Sequence, residues 1–354
     1  MPRTRRSDPT APGITRRRRG RGFEYLGPDG ATIRDDRTLH RIRSLAVPPA
    51  WADVWICADP RGHLQATGVD NAGRRQYRYH DDWRTRRDAE KFDRMLRFAE
   101  SLPDLRTTVT THLRRTRPDR ERVLACAVRM LDRGLFRIGS EVYAAQNETF
   151  GLATIRRDHV QVRGTSVSFD YTAKGGLRRT QSIEDPPTAR VLASLKRRRG
   201  GGEELLAYRD ARTWIDVRSE DINAYLKDHA CPDCTAKDFR TWHATVLGAV
   251  AVASDATGAH SPSARKRVVS AAVKTVATSL GNTPTVARDS YIDPRVFDRF
   301  RSGWTIAPSL ELPGDALPGA ALQLELERAV IDLLEEPRTS EGVERVTGER
   351  AEAA

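Results

Sequence analysis

Residues 279–300 read SLGNTPTVARDSYIDPRVFDRF. Gly281 ends one helical pattern, Thr283-Pro284 opens a second and Asp293-Pro294 a third. Glycine just past a helix end and proline at a first helical position are the expected punctuation. A single tyrosine, Tyr291, stands immediately before the third start. A phenol held between two capped helices can act as a nucleophile and leave a covalent intermediate. It can equally be an ordinary half-buried side chain, and these residues alone leave both readings open.

Working outward, the chain after Pro186 reads as predominantly helical. Segments are expected at 187–199, from Ser219, at 236–253 behind Thr235 with Asp238 three residues on, and at 264–280, each marked by capping residues. Arg240 falls near the start of the third, where a cation opposes the helix dipole. Anion binding or a salt bridge would each account for it. Upstream, 91–100 and 119–132 read as helices, the second with a stripe of Val123, Leu124, Ala127, Val128 and Leu131 that Gly134 ends. Between them and Pro186 lies a β-rich insert. LFRIG carries Arg137 on an expected strand, a short helix runs through SEVYAAQN, and SVSFDYT and LRRTQSI flank a tight AKGG turn. That turn puts Lys174 at a hairpin tip beside glycines that permit positive backbone angles; most lysines in such places are simply solvated.

From Phe23 to residue 88 short apolar runs alternate with Gly, Asn and Pro turns, the pattern of a small antiparallel sheet. Its last run, GRRQYRYH (73–80), places Gln76 and Arg78 on one face of a strand and Tyr77 and Tyr79 on the other. With Arg74 and Arg75 it carries phosphate-gripping and base-reading chemistry, or else the charges that protect an edge strand from pairing. The expected fold is therefore α+β: a disordered basic tail (1–22), a small β-rich N-terminal domain (23–88), a mainly α-helical domain with a β-hairpin insert (89–310), and an acidic extension (311–354) with one helix at Ala320 to Glu336 and a frayed polar end.

The net charge is +12. Residues 1–22 carry +7 and residues 311–354 carry −7, so the body holds +12 by itself. A polyanionic partner fits, nucleic acid before membrane: there is no apolar run of membrane length, signal peptide or lipidation motif. Cys57, Cys126, Cys231 and Cys234 make no secreted disulfide framework, and a reducing cytoplasm is expected. Cys231 and Cys234, flanked by His229 and His243, offer zinc ligands at a spacing unlike that of common fingers.

Taken in order, GRRQYRY, LFRIG with Arg137, QNETFGLATI, the hairpin lysine Lys174, KDFRTW with Arg240 and LGNTPTVARDSY with Tyr291 together resemble the type IB DNA topoisomerases of the small poxvirus-like and bacterial class, over residues 23 to 305. The resemblance implies a C-shaped clamp on double-stranded DNA, acting as a monomer in the nucleoid-containing cytoplasm with neither metal nor cofactor. It implies that Tyr291 attacks to form a 3′-phosphotyrosyl link, Arg137 and Arg240 clamp the phosphate, Lys174 protonates the leaving 5′ oxygen and Lys237 supports the scissile phosphate. DNA contacts fall to Arg74, Arg75, Gln76, Tyr77 and Tyr79. Where viral and eukaryotic members place histidine, this chain has Asn282, as similar bacterial members do; asparagine donates a neutral hydrogen bond but carries no proton or charge. His243, three residues after Arg240, is an alternative partner or a packed helix residue. A tyrosine recombinase shares the nucleophile chemistry, and a non-catalytic DNA-binding protein would share only the charge.

Overall fold

Turn residues between short apolar runs build an antiparallel five-stranded sheet of order β2-β1-β3-β4-β5. Its strands are β1 (Ile14–Arg19), β2 (Gly22–Leu26), β3 (Ala52–Ile56), β4 (Leu64–Val69) and β5 (Arg75–Tyr79), and helix α1 (Asp36–Ser44) follows β2. Ile14, Ile42, Val54, Ile56 and Ala66 form its core. The structure, a computed structural model, describes residues 4–311, 319–335 and 340–345. The chain divides into two compact units, Met1–Phe92 and Asp93–Ala354.

The expectation of a disordered tail over residues 1–22 is overturned for the residues the structure describes there, because β1 sits between β2 and β3. Ile14 is in the core, and three of the four arginines that follow find partners, Arg16 among them more than thirty residues away. Arg17 and Arg19 both reach Glu24 at 2.6 and 3.2 Å. Arg16 donates to the carbonyls of Val47, Pro48 and Trp51 and lies over the Phe23 ring. Long side chains bury their stems while their charged heads are satisfied, so a run of four arginines does not preclude a strand. Deleting residues 1–22 is therefore expected to unfold the sheet rather than merely weaken DNA binding. Loss of its β signal in circular dichroism is the check; a sheet that survives deletion would contradict this placement.

The second unit opens within α2 (Asp81–Leu113), followed by α3 (Arg120–Gly134) and α4 (Glu141–Asn147). A three-stranded antiparallel sheet comes next, of β6 (Val160–Arg163), β7 (Ser166–Ala173) and β8 (Leu177–Glu184) in that order. Then come α5 (Pro186–Lys196), the hairpin β9 (Ala207–Asp210) and β10 (Thr213–Asp216), α6 (Ser219–His229), α7 (Ala236–Ser254), α8 (Pro262–Leu280), α9 (Pro284–Ser290) and α10 (Pro294–Arg301). After these are β11 (Trp304–Thr305), α11 (Ala307–Leu310), α12 (Gly319–Leu334) and β12 (Glu344–Arg345). The whole is a mixed helix-and-sheet protein with a helical core. No helix among the described residues is long and apolar enough to cross a membrane.

LFRIG is not a strand. Leu135 takes the left-handed conformation (φ 53°) that caps α3, so the helix runs through the glycine expected to stop it; only glycine fits at 134, because a Cβ there would meet the Phe136 ring at 2.4 Å. The helix expected in the acidic extension is α12, and it packs into the core. Glu327 of α12 is buried and, with Asp132 of α3, grips Arg106 of α2 through paired hydrogen bonds of 2.6–2.9 Å. β12 pairs with β11; residues 312–318, 336–339 and 346–354 lie outside the described residues. Burial works against the ionised Asp132 carboxylate, but Arg106 outweighs it and holds the pKa below 3.8. Its contribution is thus complete above that value and lost as pH falls below it. Glu327→Ala leaves a largely buried arginine half-paired and is expected to cost about 3 kcal/mol, read by urea unfolding; a change within experimental error would remove α12 from the core.

Candidate active site

Arg137 is placed by a backbone contact. Beyond Leu135 the chain runs against the turn at Gly151: Leu152 N donates to Arg137 O at 2.8 Å and Ala153 N to Ile138 O at 2.7 Å. A Cβ on Gly151 would lie 2.4 Å from Gly139 Cα. Only glycine admits such an approach, which is the physical content of the LFRIG and GLATI motifs.

Arg240 is placed by α7. Thr235 and Asp238 form a reciprocal cap, and Arg240, one turn in, is buried. It donates to Leu135 O and, at 2.9 Å, to Leu280 O. Further along α7, Thr245 Oγ1 accepts from Asp293 N at 3.1 Å and lies 3.4 Å from Tyr291 O. The helix that carries Arg240 therefore also fixes the backbone around Tyr291. The Arg240 carbon Cζ stands 5.3 Å from the Tyr291 ring centroid.

The end of α8 gathers these parts. Asn282 N bonds Ala277 O and Gly281 N bonds Thr278 O, with Gly281 at φ 61°, a Schellman closure. The next three carbonyls have no helical partner, and each accepts from a different arginine. Arg179 of β8 donates to Ser279 O at 3.2 Å, Arg240 to Leu280 O and Arg137 to Gly281 O at 3.0 Å. Arg137 also donates to Asn282 Oδ1. Arginine has only donors, so this bond turns the Asn282 amide nitrogen the other way, and that nitrogen is buried with no hydrogen-bond partner among the described residues. None of the three arginines pairs with a carboxylate among the described residues. Burial, and then the charge of Arg137, push the Arg240 guanidinium down to about 10. Burial also lowers that of Arg179. The cluster is thus a concentration of positive charge held by carbonyl dipoles, the requirement for receiving an anion beside a phenol.

Arg137, Arg240, Asn282 and Tyr291 are brought together. Lys174 is not: it lies exposed in the β7–β8 turn between Ala173 and Gly175, with no hydrogen bond or ion pair to them among the described residues. Lys237 is exposed on the first turn of α7. His243 packs beside Asp132 (3.7 Å) rather than with the arginine cluster, and burial lowers its pKa, so it is a neutral packed residue. Cys231 and Cys234 are joined in a disulfide ahead of α7, so neither sulfur is available as a thiolate for the zinc site that their spacing offered. Among the described residues no three His, Cys, Asp or Glu side chains are grouped to hold a metal ion.

In the first unit, β5 is an edge strand. Tyr77 and Tyr79, 47% and 42% exposed, stack on one face, bordering a cavity of about 510 Å³ that Arg41, Arg78 and Arg84 also line. Gln76 Nε2 donates to Asp70 at 2.8 Å, and Arg74 pairs with the same carboxylate. Backbone donation from Arg74 and these side chains hold Asp70 at about 2.

Sequence comparison places the chain among known proteins. The sequence model of a family described as eukaryotic DNA topoisomerase I, catalytic core, matches residues 80–301. That of the bacterial DNA topoisomerase IB N-terminal domain matches residues 22–70. A DNA topoisomerase 1B of Acanthamoeba polyphaga mimivirus is 30% identical over 291 residues, 79% of this chain and 85% of that protein. A DNA topoisomerase 1 of Daucus carota is 25% identical over 161 residues, 44% of this chain and 19% of that protein. With a catalytic-core match over most of its length and a relative of 30% identity covering four fifths of it, the chain belongs to the type IB DNA topoisomerases, enzymes that relax supercoiled DNA.

Proposed function

We propose that relaxation proceeds through Tyr291. Its phenolic oxygen bonds to the scissile phosphorus as the bond to the 5′ oxygen breaks. The phenolic proton passes to solvent, and Lys174 gives a proton to the departing 5′ oxygen. Arg137 and Arg240 neutralise the non-bridging oxygens, where charge builds in the transition state, and the free amide nitrogen of Asn282 donates to one of them without transferring a proton. Religation is the same sequence reversed. The phosphotyrosyl link replaces one phosphodiester with another, so rejoining needs no nucleotide hydrolysis.

The observation that carries this reading is the set of arginines without carboxylate partners on the α8 carbonyls, beside Tyr291. Duplex contacts are assigned to Arg74, Arg75, Gln76, Tyr77 and Tyr79 of the N-terminal DNA-binding domain and to Lys237 of the catalytic domain. For Gln76 to meet a base it must leave Asp70. The two domains are proposed to close as a C-shaped clamp on DNA, one protein molecule per duplex, in the cytoplasm at the nucleoid. Lys174 reaches the leaving oxygen once the β7–β8 turn meets the duplex.

The test is incubation with supercoiled plasmid in EDTA without ATP, then detergent trapping and mapping of the DNA-linked peptide. The expected adduct lies on the peptide containing Tyr291, at a 3′ phosphate. An adduct on another residue, or relaxation that needs ATP or a metal, would overturn the mechanism.

A further inference from the structure

The β8 strand carries adjacent arginines with opposite fates. Arg178 is exposed and takes Asp170 as a bidentate partner at 2.5 and 2.8 Å. Arg179 points the other way and is half-buried, donating to Gln181 Oε1 at 2.8 Å and Ser279 O at 3.2 Å, with no carboxylate among the described residues. It completes the row of guanidiniums on the carbonyls of Ser279, Leu280 and Gly281. Its Nη1 would lie 2.9 Å from a Cβ on Gly281, the residue that precedes Asn282. Its charge acts on Arg240, and the charge of Arg137 acts on it.

Burying a cation without a counter-ion is costly, and a strand that only needed a polar residue facing α8 would be served by a neutral one. We propose that Arg179 is a third guanidinium of the scissile-phosphate pocket, contacting a non-bridging oxygen alongside Arg137 and Arg240. This rests on the phosphotyrosyl reading above. Arg179 lies five residues beyond Lys174 on the same hairpin, so its contact also ties the lysine-bearing turn to the phosphate.

The experiment is single-turnover cleavage by the full chain on a duplex built around a cleavage site mapped with the wild-type protein. The site carries the natural phosphodiester or, in turn, each of the two diastereomers of a methylphosphonate, which removes one or the other non-bridging charge. Arg179→Ala is expected to slow cleavage of the natural linkage by roughly 10²-fold, with duplex binding nearly unchanged. On the methylphosphonate whose missing charge Arg179 would neutralise, the gap between variant and wild type should close. Arg179→Lys, which keeps the charge but not the fork, should fall between them and serves as the second variant if alanine unfolds the hairpin. Cleavage by Arg179→Ala at the wild-type rate, or an equal loss on all three linkages, would reduce Arg179 to a strut for α8 and overturn the proposal. A normal wild-type adduct on Tyr291 beside an indifferent Arg179 variant defeats only this inference; absence of that adduct defeats the parent mechanism.

Discussion

Tyr291→Phe is expected to abolish plasmid relaxation, by at least about 10⁴-fold, since loss of the nucleophile from a catalytic unit costs on the order of 10⁴ to 10⁶. The substitution removes one oxygen and little packing. The ring stays beside Arg240, and the backbone remains held by Ala287 O and Thr245. Salt-sensitive DNA binding should therefore persist at wild-type strength, measured by filter binding over a salt series alongside the relaxation assay. Undiminished relaxation would defeat the assignment of the nucleophile. Binding lost together with activity would mean that Tyr291 is a structural residue.

Arg137→Ala and Arg240→Ala should each slow single-turnover cleavage by roughly 10² to 10³, the usual loss for one transition-state donor. The two variants differ in what else they disturb. Arg137 is half-buried, bonding Gly281 O and Asn282 Oδ1, so its loss also frees the Asn282 side chain. Arg240 is buried and spans Leu135 O and Leu280 O, so its removal strands two carbonyls and should lower stability as well. Arg240→Lys cannot span both with a planar fork and should recover little of the rate. A negligible change in the cleavage step would remove that arginine from the clamp.

Much of the site was legible because its signals are local. Gly281, Thr283-Pro284 and Asp293-Pro294 act within a turn of themselves, and the helices begin and end where they stand. The family motifs then supplied the long-range order. What escaped reading depends on partners distant in sequence. The arginines of β1 look like a tail until Arg16 is seen to reach the carbonyls of Val47, Pro48 and Trp51, more than thirty residues on. Arg137 reads as a strand residue because nothing local announces that Leu135 will turn left-handed or that Gly151 will press on Gly139. Alternation places Arg178 and Arg179 on opposite faces, but only the folded hairpin tells which one finds Asp170. Nothing local marks Thr245 of α7, and its bonds to the Tyr291 loop become visible only in three dimensions.

The ion cluster of Arg106, Asp132 and Glu327 also sets an order of events during synthesis. Arg106 and Glu327 are 221 residues apart, so at about 5 to 20 residues per second a nascent chain waits roughly 10 to 45 s between making the first and the second. Over that interval the α2–α3 pair has one carboxylate where the finished protein has two. The protein is thereby kept from settling into its final packing until translation has passed α12, and a message broken before that point yields a protein with an unfinished core.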